Sequence, residues 1–377
     1  MHIYYKRNIV FAAIFTVALF NAIPAVSQLL KLPEGGVNFK CKTGTQIGLT
    51  DIEINWNAPG VKGREGKIWG TDVAYYGFNV LGYGSKVNSP WRAGANESTT
   101  MRFSTDVAIN GNKLAAGNYG FFIALYPDSC VLIFNKNTEG WGSYFYTSNL
   151  DVLKVSVRQQ KDMKVSKERL DFTFDKQTNE SIEVALEWEY WRIPFTVTVD
   201  LKQTTVESLR KQLSGAMGFD PPILEAAANW CLQNKVNLEE ALNWIEVAMD
   251  PNLGAVKSFR VLSTKANLLN ELNRKAESDA LMNSAIEIAT VTDLHGYGRQ
   301  LLAQKKTQEA ILIFEKNYTK HKGAWPTTAG LMRAYSATGD LKKAMEYAKK
   351  ALAQAPNEEN RKFIEKAIEL LNEGKAL

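Results

Sequence analysis

The sequence predicts a two-domain protein, with an all-β N-terminal domain built as an antiparallel sandwich or barrel and an all-α C-terminal solenoid. Three observations predict this class. A chain of 377 residues exceeds the ~100 to 200 residues of an ordinary domain. Up to about residue 200, short apolar runs alternate with turn residues, and beyond it the apolar residues follow a helical period. The helical part also repeats itself at roughly 34 residues.

Residues 1–27 have the features of a secretory signal peptide. The basic pair Lys6-Arg7 precedes an apolar run over 9–20, and the small-residue site Ala25-Val26-Ser27 follows. The run is shorter than the ~20 residues of a membrane span, although an uncleaved anchor is the alternative. We therefore expect an exported protein, periplasmic or extracellular, that begins at Gln28 and has no membrane span after signal removal.

The composition is that of a globular protein. Hydrophobic residues make up 45% of the chain and charged residues 23%, which excludes a disordered, collagen-like or coiled-coil class. The net charge is +5, and removal of the leader leaves 43 basic and 40 acidic residues, a net charge of +3. No nucleic-acid partner is expected from so small an excess.

The region from 40 to 200 predicts about eight short strands. We place them at residues 50–56, 101–107, 119–126, 130–135, 152–158, 170–174, 182–188 and 195–199. Asn110-Gly111 predicts a two-residue hairpin, because both central positions of a type I′ turn need positive φ. Acidic and apolar residues alternate over 183–189, which predicts one buried and one solvent-exposed face. The β domain is assigned to residues 28–203.

Residues 204–377 predict a helical repeat domain. Residues of similar type recur seven positions apart in four places: Ala241 and Ala248, Ser278 and Ala285, Ala310 and Asn317, and Ala344 and Ala351. Successive pairs begin 37, 32 and 34 residues apart, close to the 34-residue unit of tetratricopeptide repeats. A last helix over 358–371 is expected to cap the stack. Because such solenoids bind proteins, we expect a protein partner at the repeats.

Cysteine and histidine are scarce, with three of each. No histidine lies between 28 and 203, which excludes a catalytic triad or a His-ligated zinc ion built within the β domain. Cys41 and Cys130 either pair in a disulfide or stay separate, and the sequence leaves both open. The chain has no phosphate-binding loop and no metalloprotease or hydrolase motif. We predict no metal, no cofactor and no catalytic residue.

A polar cluster at 89–100 is the candidate ligand site of the β domain. It combines charged and amide side chains with tryptophan and small residues, which suits a small anion, a glycan or a peptide. Gly94 is expected to supply a sharp turn. The predicted ligand-binding residues are Arg64, Trp91, Arg92, Asn96 and Glu97. In the alternative interpretation, Arg92 pairs with Glu97 or braces the loop, and Trp91 fills the core.

Two further hypotheses concern the β domain. Trp141, in the glycine-containing loop 135–142, either stacks on a carbohydrate or closes the end of the sandwich. Glu97 together with Asp51 or Glu65 is the candidate carboxylate pair of a glycosidase-like hydrolase, whose mechanism needs two carboxyl groups at a set separation.

Several motifs occur in a fixed order along the β region. They are IGLTDIEINW at 47–56, PGVKGR at 59–64, IWG at 68–70, WRAGANESTT at 91–100, FSTDV at 103–107, ING at 109–111, LAAGNY at 114–119 and IFN at 133–135. In these motifs the region resembles the DUF2911 family from about 45 to 200. Ala116 and the segment 73–76 depart from the family's usual residues.

That resemblance implies a β domain of unknown function, found in secreted proteins and often followed by tetratricopeptide repeats, and it carries over no catalytic residue. We therefore expect an exported, non-enzymatic binding or scaffold protein whose repeats mediate protein–protein interaction. The alternative is a carboxylate-dependent hydrolase that acts on cell-envelope carbohydrate.

Overall fold

The structure, a computed structural model, describes residues 37–377, so the predicted signal peptide at 1–27 lies outside the described residues. The N-terminal part is built of strands. They are β1 (Phe39–Ile47), β2 (Thr50–Ala58), β3 (Asn79–Val80), β4 (Asn88–Ser89), β5 (Thr99–Phe103), β6 (Val107–Ile109), β7 (Asn112–Leu114), β8 (Gly117–Leu125), β9 (Cys130–Asn135), β10 (Asp151–Val157), β11 (Lys167–Asp175), β12 (Ser181–Glu189) and β13 (Trp191–Thr198).

These strands form two main antiparallel sheets. The first has six strands in the order β1-β2-β5-β8-β9-β10, and the second has five in the order β11-β12-β13-β6-β7. Strands β3 and β4 form a small separate hairpin. The antiparallel sandwich class predicted from the strand pattern is confirmed.

The Asn110-Gly111 hairpin is confirmed. Asn110 has φ 46° and Gly111 has φ 82°, as a type I′ turn requires, and the turn joins β6 to β7. A second tight hairpin joins β12 to β13, where Trp188 lies opposite Trp191 and Glu189 has φ 52°. The predicted strand at 195–199 starts too late, because β13 begins at Trp191 and includes Pro194. Proline has no backbone N–H to donate to a neighbouring strand. Pro194 is tolerated because β6 pairs only with the C-terminal end of β13 and does not reach this position.

Two other strand predictions differ from the structure. Strand β1 was not predicted, because its residues are mostly polar and exposed at the edge of the first sheet. The single strand predicted at 101–107 is two strands in different sheets, β5 and β6. Between them the chain turns a corner at Ser104, whose backbone N–H donates to the Asp51 carbonyl at 3.0 Å.

The sandwich core is dominated by aromatic side chains. Phe121 on β8 contacts Phe134, Phe172 and Phe195, at ring-centroid distances of 5.3, 6.2 and 5.9 Å. The neighbouring Phe122 points to the opposite face of the sheet. Tyr146 covers it there, which explains why both faces of β8 are buried.

The alternation over 183–189 gives the predicted buried face, but the opposite face is not solvent-exposed as predicted, because Ala185 and Glu189 on it are buried as well. Val184, Leu186 and Trp188 are buried in the core. Glu183 and Glu187 lie on the other face, where the Arg192 guanidinium pairs with them at 2.9 and 3.1 Å.

The C-terminal part is a run of helices. They are α1 (Leu201–Leu213), α2 (Pro221–Asn234), α3 (Leu238–Val247), α4 (Phe259–Glu271), α5 (Lys275–Ile288), α6 (Val291–Ala303), α7 (Thr307–Lys320), α8 (Trp325–Ala337), α9 (Leu341–Ala353) and α10 (Glu358–Asn372). Helices α2 to α9 pack as four successive pairs, and α10 packs on α9 as the final helix. The predicted tetratricopeptide-like solenoid is confirmed.

The seven-residue spacing marks the second helix of each pair. All eight residues of the four spaced pairs are buried. Small residues also allow neighbouring helices to pack closely. The clearest case is the pair of glycines that face Phe314 on α7. Its ring lies between Gly298 on α6 and Gly330 on α8, where a Cβ atom on either glycine would overlap the ring.

Cys41 and Cys130 are separate thiols in the structure. They lie on β1 and β9, four strand spacings apart in the first sheet, or roughly 19 Å at ~4.8 Å per spacing. A disulfide needs Cα atoms within ~7 Å. Burial raises the pKa of the Cys130 thiol to about 12.

Between residues 37 and 377, none of the helices has the length and apolar character needed to span a membrane. The same part of the chain contains no group of three or more histidine, cysteine, aspartate or glutamate side chains able to hold a metal ion.

Candidate functional site

The predicted ligand cluster lies in the loop between β4 and β5. Trp91 is the second residue of this loop, and its backbone exchanges hydrogen bonds of 3.1 and 2.9 Å with Ile123 on β8. Its side chain is only 2% exposed and stacks parallel to Trp188 at 6.3 Å. Trp91 therefore packs in the core and does not offer an open aromatic surface.

Arg92 braces the loop. Its Nη1 donates to the Asn96 carbonyl at 2.8 Å, and its guanidinium lies 5.2 Å from the Tyr144 ring centroid. The same guanidinium packs against Gly142, where any side chain would overlap it. These contacts hold Arg92 in one place, and its other guanidinium N–H groups have no hydrogen-bond partner within residues 37–377.

Arg64 is held in a similar way by the loop that follows β2. Its Nε donates to the Val61 carbonyl at 3.0 Å and its Nη2 to the Gly60 carbonyl at 2.7 Å. Arg64 and Arg92 line one cleft of about 550 Å³, together with Asn96. Lys62 and Trp188 line the same cleft. We call this the arginine cleft.

The conformation of the 91–97 loop differs from the prediction for Gly94. The left-handed positions are Ala93, with φ 49°, and Asn96, with φ 55°. Gly94 is needed for space instead, because a Cβ atom there would lie 2.9 Å from the Thr99 hydroxyl. The Asn96 amide is fixed by Asn57, to which its Nδ2 donates at 3.4 Å.

Glu97 points to a different cleft. Its carboxylate pairs with the Lys40 ammonium at 3.2 Å and accepts from the Asn57 amide at 2.7 Å. Partial burial raises the pKa of the Glu97 carboxyl, but its own backbone N–H, Lys40 and Asn57 lower that pKa by more, so it lies below its usual value. Arg92 and Glu97 do not pair. The structure thus brings together three of the five predicted residues: Arg64, Arg92 and Asn96.

The geometry does not support the hydrolase pair of Asp51 and Glu97. Glu97 contacts Asn57 near one end of β2, whereas Asp51 lies near the other end, six residues away. At ~3.3 Å per residue these positions are roughly 20 Å apart. Carboxyl groups of glycosidases lie within about 5 to 9.5 Å. Glu65 is exposed on the loop after β2, and within residues 37–377 no contact joins it to Glu97.

Trp141 is 52% exposed and does not close the end of the sandwich. Its loop is held to the rest of the domain by Ser98, whose hydroxyl donates to the carbonyls of Gly140 and Gly142 at 3.0 and 2.9 Å.

The helical part has a polar groove that the sequence reasoning missed. Two adjoining clefts of about 460 and 320 Å³ share Gln233, Asn267, Tyr297 and Gln300. These residues lie on α2, α4 and α6, the first helices of three successive pairs. We call the joined clefts the amide groove; its amide residues are Asn229, Gln233, Asn267, Asn270, Gln300 and Gln304.

The amide side chains of the groove form no hydrogen bonds within residues 37–377. The charged side chains beside them are largely paired. Glu225, which is 2% exposed, pairs with Arg260 at 2.9 Å, and Lys235 pairs with Glu271 at 3.1 Å. The groove therefore offers neutral groups that both donate and accept hydrogen bonds.

A signal for this groove is present in the sequence. Gln233, Asn267 and Gln300 are spaced 34 and 33 residues apart, close to the period of the repeat. The seven-residue spacing identifies only the second helix of each pair. The three amide residues become visible when the same repeat is followed along the first helices.

Comparison with known proteins agrees with the predicted order of domains. Residues 40–197 match the family model described as "Protein of unknown function (DUF2911)", and residues 301–362 match a tetratricopeptide repeat model. None of the curated proteins matches the chain.

Solved structures of MamA share limited similarity with the chain. MamA 41-end from Desulfovibrio magneticus RS-1 is 17% identical, with a TM-score of 0.25, and the match covers 42% of this chain and 95% of that one. The MamA RS-1 ArsTM double mutant is 16% identical, with the same coverage and TM-score. The matched segments, together with the fold, agree with a DUF2911-like β region followed by tetratricopeptide-like repeats.

Proposed function

We propose that this protein is an exported, non-enzymatic scaffold whose repeats bind a segment of a protein partner in the amide groove. The observation that carries the proposal is the set of unpartnered amide side chains on three successive first helices. Solenoids of stacked helix pairs use such extended surfaces to bind proteins.

The chemistry of the groove favours an extended peptide main chain as its ligand. A peptide presents alternating N–H and C=O groups, and an Asn or Gln side chain satisfies both kinds at once. Since Glu225 and Glu271 are already paired with basic residues, the groove has little uncompensated charge for a strongly ionic ligand. The half-buried ring of Tyr297, packed on Phe259 at 5.7 Å, adds an apolar floor.

The test is selection of peptides from a random display library on the purified protein, followed by fluorescence anisotropy of the selected peptides. We expect Asn267→Ala and Gln300→Ala each to weaken binding by about tenfold, the loss that corresponds to ~1.4 kcal/mol. The matched control is Asn283→Ala. Asn283 is an exposed amide on α5 and does not line the groove, so affinity should stay unchanged.

Two results would contradict the groove as the binding site. Either no library peptide binds the protein, or the selected peptides bind Asn267→Ala as tightly as they bind the original chain. Equal losses in Asn267→Ala and Asn283→Ala would indicate an effect on stability instead.

Export is part of the same proposal and rests on the leader alone. The basic pair Lys6-Arg7, the apolar run and the small residues before Gln28 support it. Mass spectrometry of the protein from its native cells should find Gln28 at the N-terminus, and an intact Met1 would contradict cleavage.

A further inference from the structure

We infer that the arginine cleft of the β domain binds a phosphate group carried by a small molecule. This inference goes beyond the proposed scaffold role, which concerns the repeats. It rests on the charges, the hydrogen-bond donors and the size of the cleft.

The charge of the cleft is one-sided. Lys62, Arg64 and Arg92 line it, and none of the lining residues within 37–377 is acidic. Among the residues that the structure describes, no carboxylate forms an ion pair with any of these three side chains. The carboxylates of Glu168 and Glu189 accept from the backbone N–H groups of Lys62 and Gly66, and neither residue lines the cleft.

Both guanidinium groups are preorganised. Arg64 and Arg92 are anchored to backbone carbonyls, so their geometry is set before any ligand arrives. Arginine binds oxyanions through two parallel N–H groups, and holding the side chain in advance reduces the entropy lost on binding.

A buried tryptophan borders the cleft. Trp188 lines the cleft and is 0% exposed, yet its indole N–H has no partner in the described part of the chain. A buried polar group is normally hydrogen-bonded, and an indole N–H can only donate. The donors that the cleft offers to a ligand are therefore cationic, which suits a ligand group that only accepts.

Charge and size select among the oxyanions. A phosphate monoester carries about −1.5 to −2 charges at pH 7 and has three acceptor oxygens, whereas a carboxylate carries only one charge. Three basic side chains match the phosphate better. The volume of about 550 Å³ lies within the range of small-molecule sites, ~300 to 1,000 Å³.

The test is isothermal titration calorimetry of the full-length chain with inorganic phosphate and glycerol phosphate, with glucuronate as the monoanionic comparison. We expect saturable binding of one phosphate per chain and weaker binding of glucuronate. Arg64→Gln and Arg92→Gln should each lower phosphate affinity by about tenfold or more. Tighter binding of glycerol phosphate than of inorganic phosphate would show that the cleft also contacts the organic part.

The control and a second variant keep the test decisive. Arg158→Gln removes one exposed positive charge just after β10, outside the cleft, and should change affinity less than twofold. Because Arg92 braces its loop, Arg92→Gln can unfold the domain. Lys62→Gln alters a side chain that forms no hydrogen bond or ion pair within residues 37–377, and we expect about a threefold loss from it.

The inference is overturned if millimolar phosphate gives no saturable heat, or if glucuronate binds more tightly than phosphate. It is equally overturned if Arg158→Gln weakens binding as much as Arg64→Gln does, because the effect would then be the overall charge of the domain.

Discussion

In the β sandwich, the aromatic rings that touch come from distant parts of the chain. Trp56 contacts Phe172 at 5.2 Å and Phe121 contacts Phe195 at 5.9 Å, so the core joins residues more than 70 positions apart. In the repeats, the ring of Phe314 is enclosed by Gly298 and Gly330, both within 16 positions of it. One core depends on long-range pairing, and the other is assembled from neighbours in sequence.

The difference has a consequence for stability. A sandwich whose main core lies between its two sheets unfolds as a unit, because each sheet loses most of its buried surface without the other. In a solenoid each repeat contacts mainly its neighbours, so a lost contact acts over one or two helix pairs. Substitutions in the two cores should therefore differ in how far their effects spread.

The largest effect is expected from Phe121→Ala. Phe121 is fully buried among three other rings, and its removal should cost ~3 to 5 kcal/mol of unfolding free energy. Hydrogen exchange measured by mass spectrometry should show faster exchange in every sandwich strand and unchanged exchange in α4 to α10. If protection is lost only in β8 and its neighbours, the sandwich does not unfold as one unit.

A smaller effect, with a matched control, is expected on α6. Gly298→Ala places a methyl group 2.5 Å from the Phe314 ring, and such overpacking costs ~1 to 3 kcal/mol. Gly296→Ala lies two residues away in open space and should stabilise the helix by up to ~1 kcal/mol.

Urea unfolding followed by circular dichroism measures both variants. The loss caused by Gly298→Ala should be confined to α6, α7 and α8 in hydrogen exchange. Stabilisation by both variants would show that the helices separate easily, contrary to the close packing seen here.

The smallest expected effect is a pH dependence confined to the helical part. Burial lowers the pKa of His295 below 6.5, as do Arg333 and Arg299, while the Pro326 carbonyl, 2.7 Å from its Nδ1, opposes this. Between its folded and unfolded pKa values the unfolded chain binds more protons, so stability is full above pH 6.5 and decreases as the pH falls below it.

The β domain provides the comparison, because residues 37–203 contain no histidine. The pKa values of Glu53, Glu97 and Glu183 are lowered from 4.5, so their contribution to stability is lost only at more acid pH. Unfolding measured from pH 5.5 to 7 should show a histidine-dependent step in the helical part alone. His295→Gln should reduce that step, and an unchanged step would assign it to another group.

Local patterns predicted much of the fold. The Asn110-Gly111 turn and the buried face of the 183–189 strand depend on a few adjacent residues, and both appear as expected. Strand β1 was missed because an exposed edge strand does not need alternating apolar residues. The 101–107 segment was misassigned because a corner between sheets is set by contacts with distant strands, here with Asp51.

The candidate sites show the same limit. Arg92 and Glu97 are five positions apart, and the sequence could not show that the loop directs them into different clefts. Left-handed Ala93 and Asn96 determine those directions, and neither residue type requires that conformation. Asn267 and Gln300 were overlooked because an isolated amide on a helix has no distinguishing feature until its neighbours in the stack are known.

By itself, the sequence determined the division into a strand-rich and a helix-rich part, the order of the two family resemblances, and the buried positions of the second helices. These follow from periodicity and spacing, which are properties of short segments. Only the tertiary structure decided that Arg64, Arg92 and Trp188 share a cleft and that three separate helices form one amide groove. Such sites join side chains from distant segments, and their positions depend on how whole sheets and helix pairs pack together.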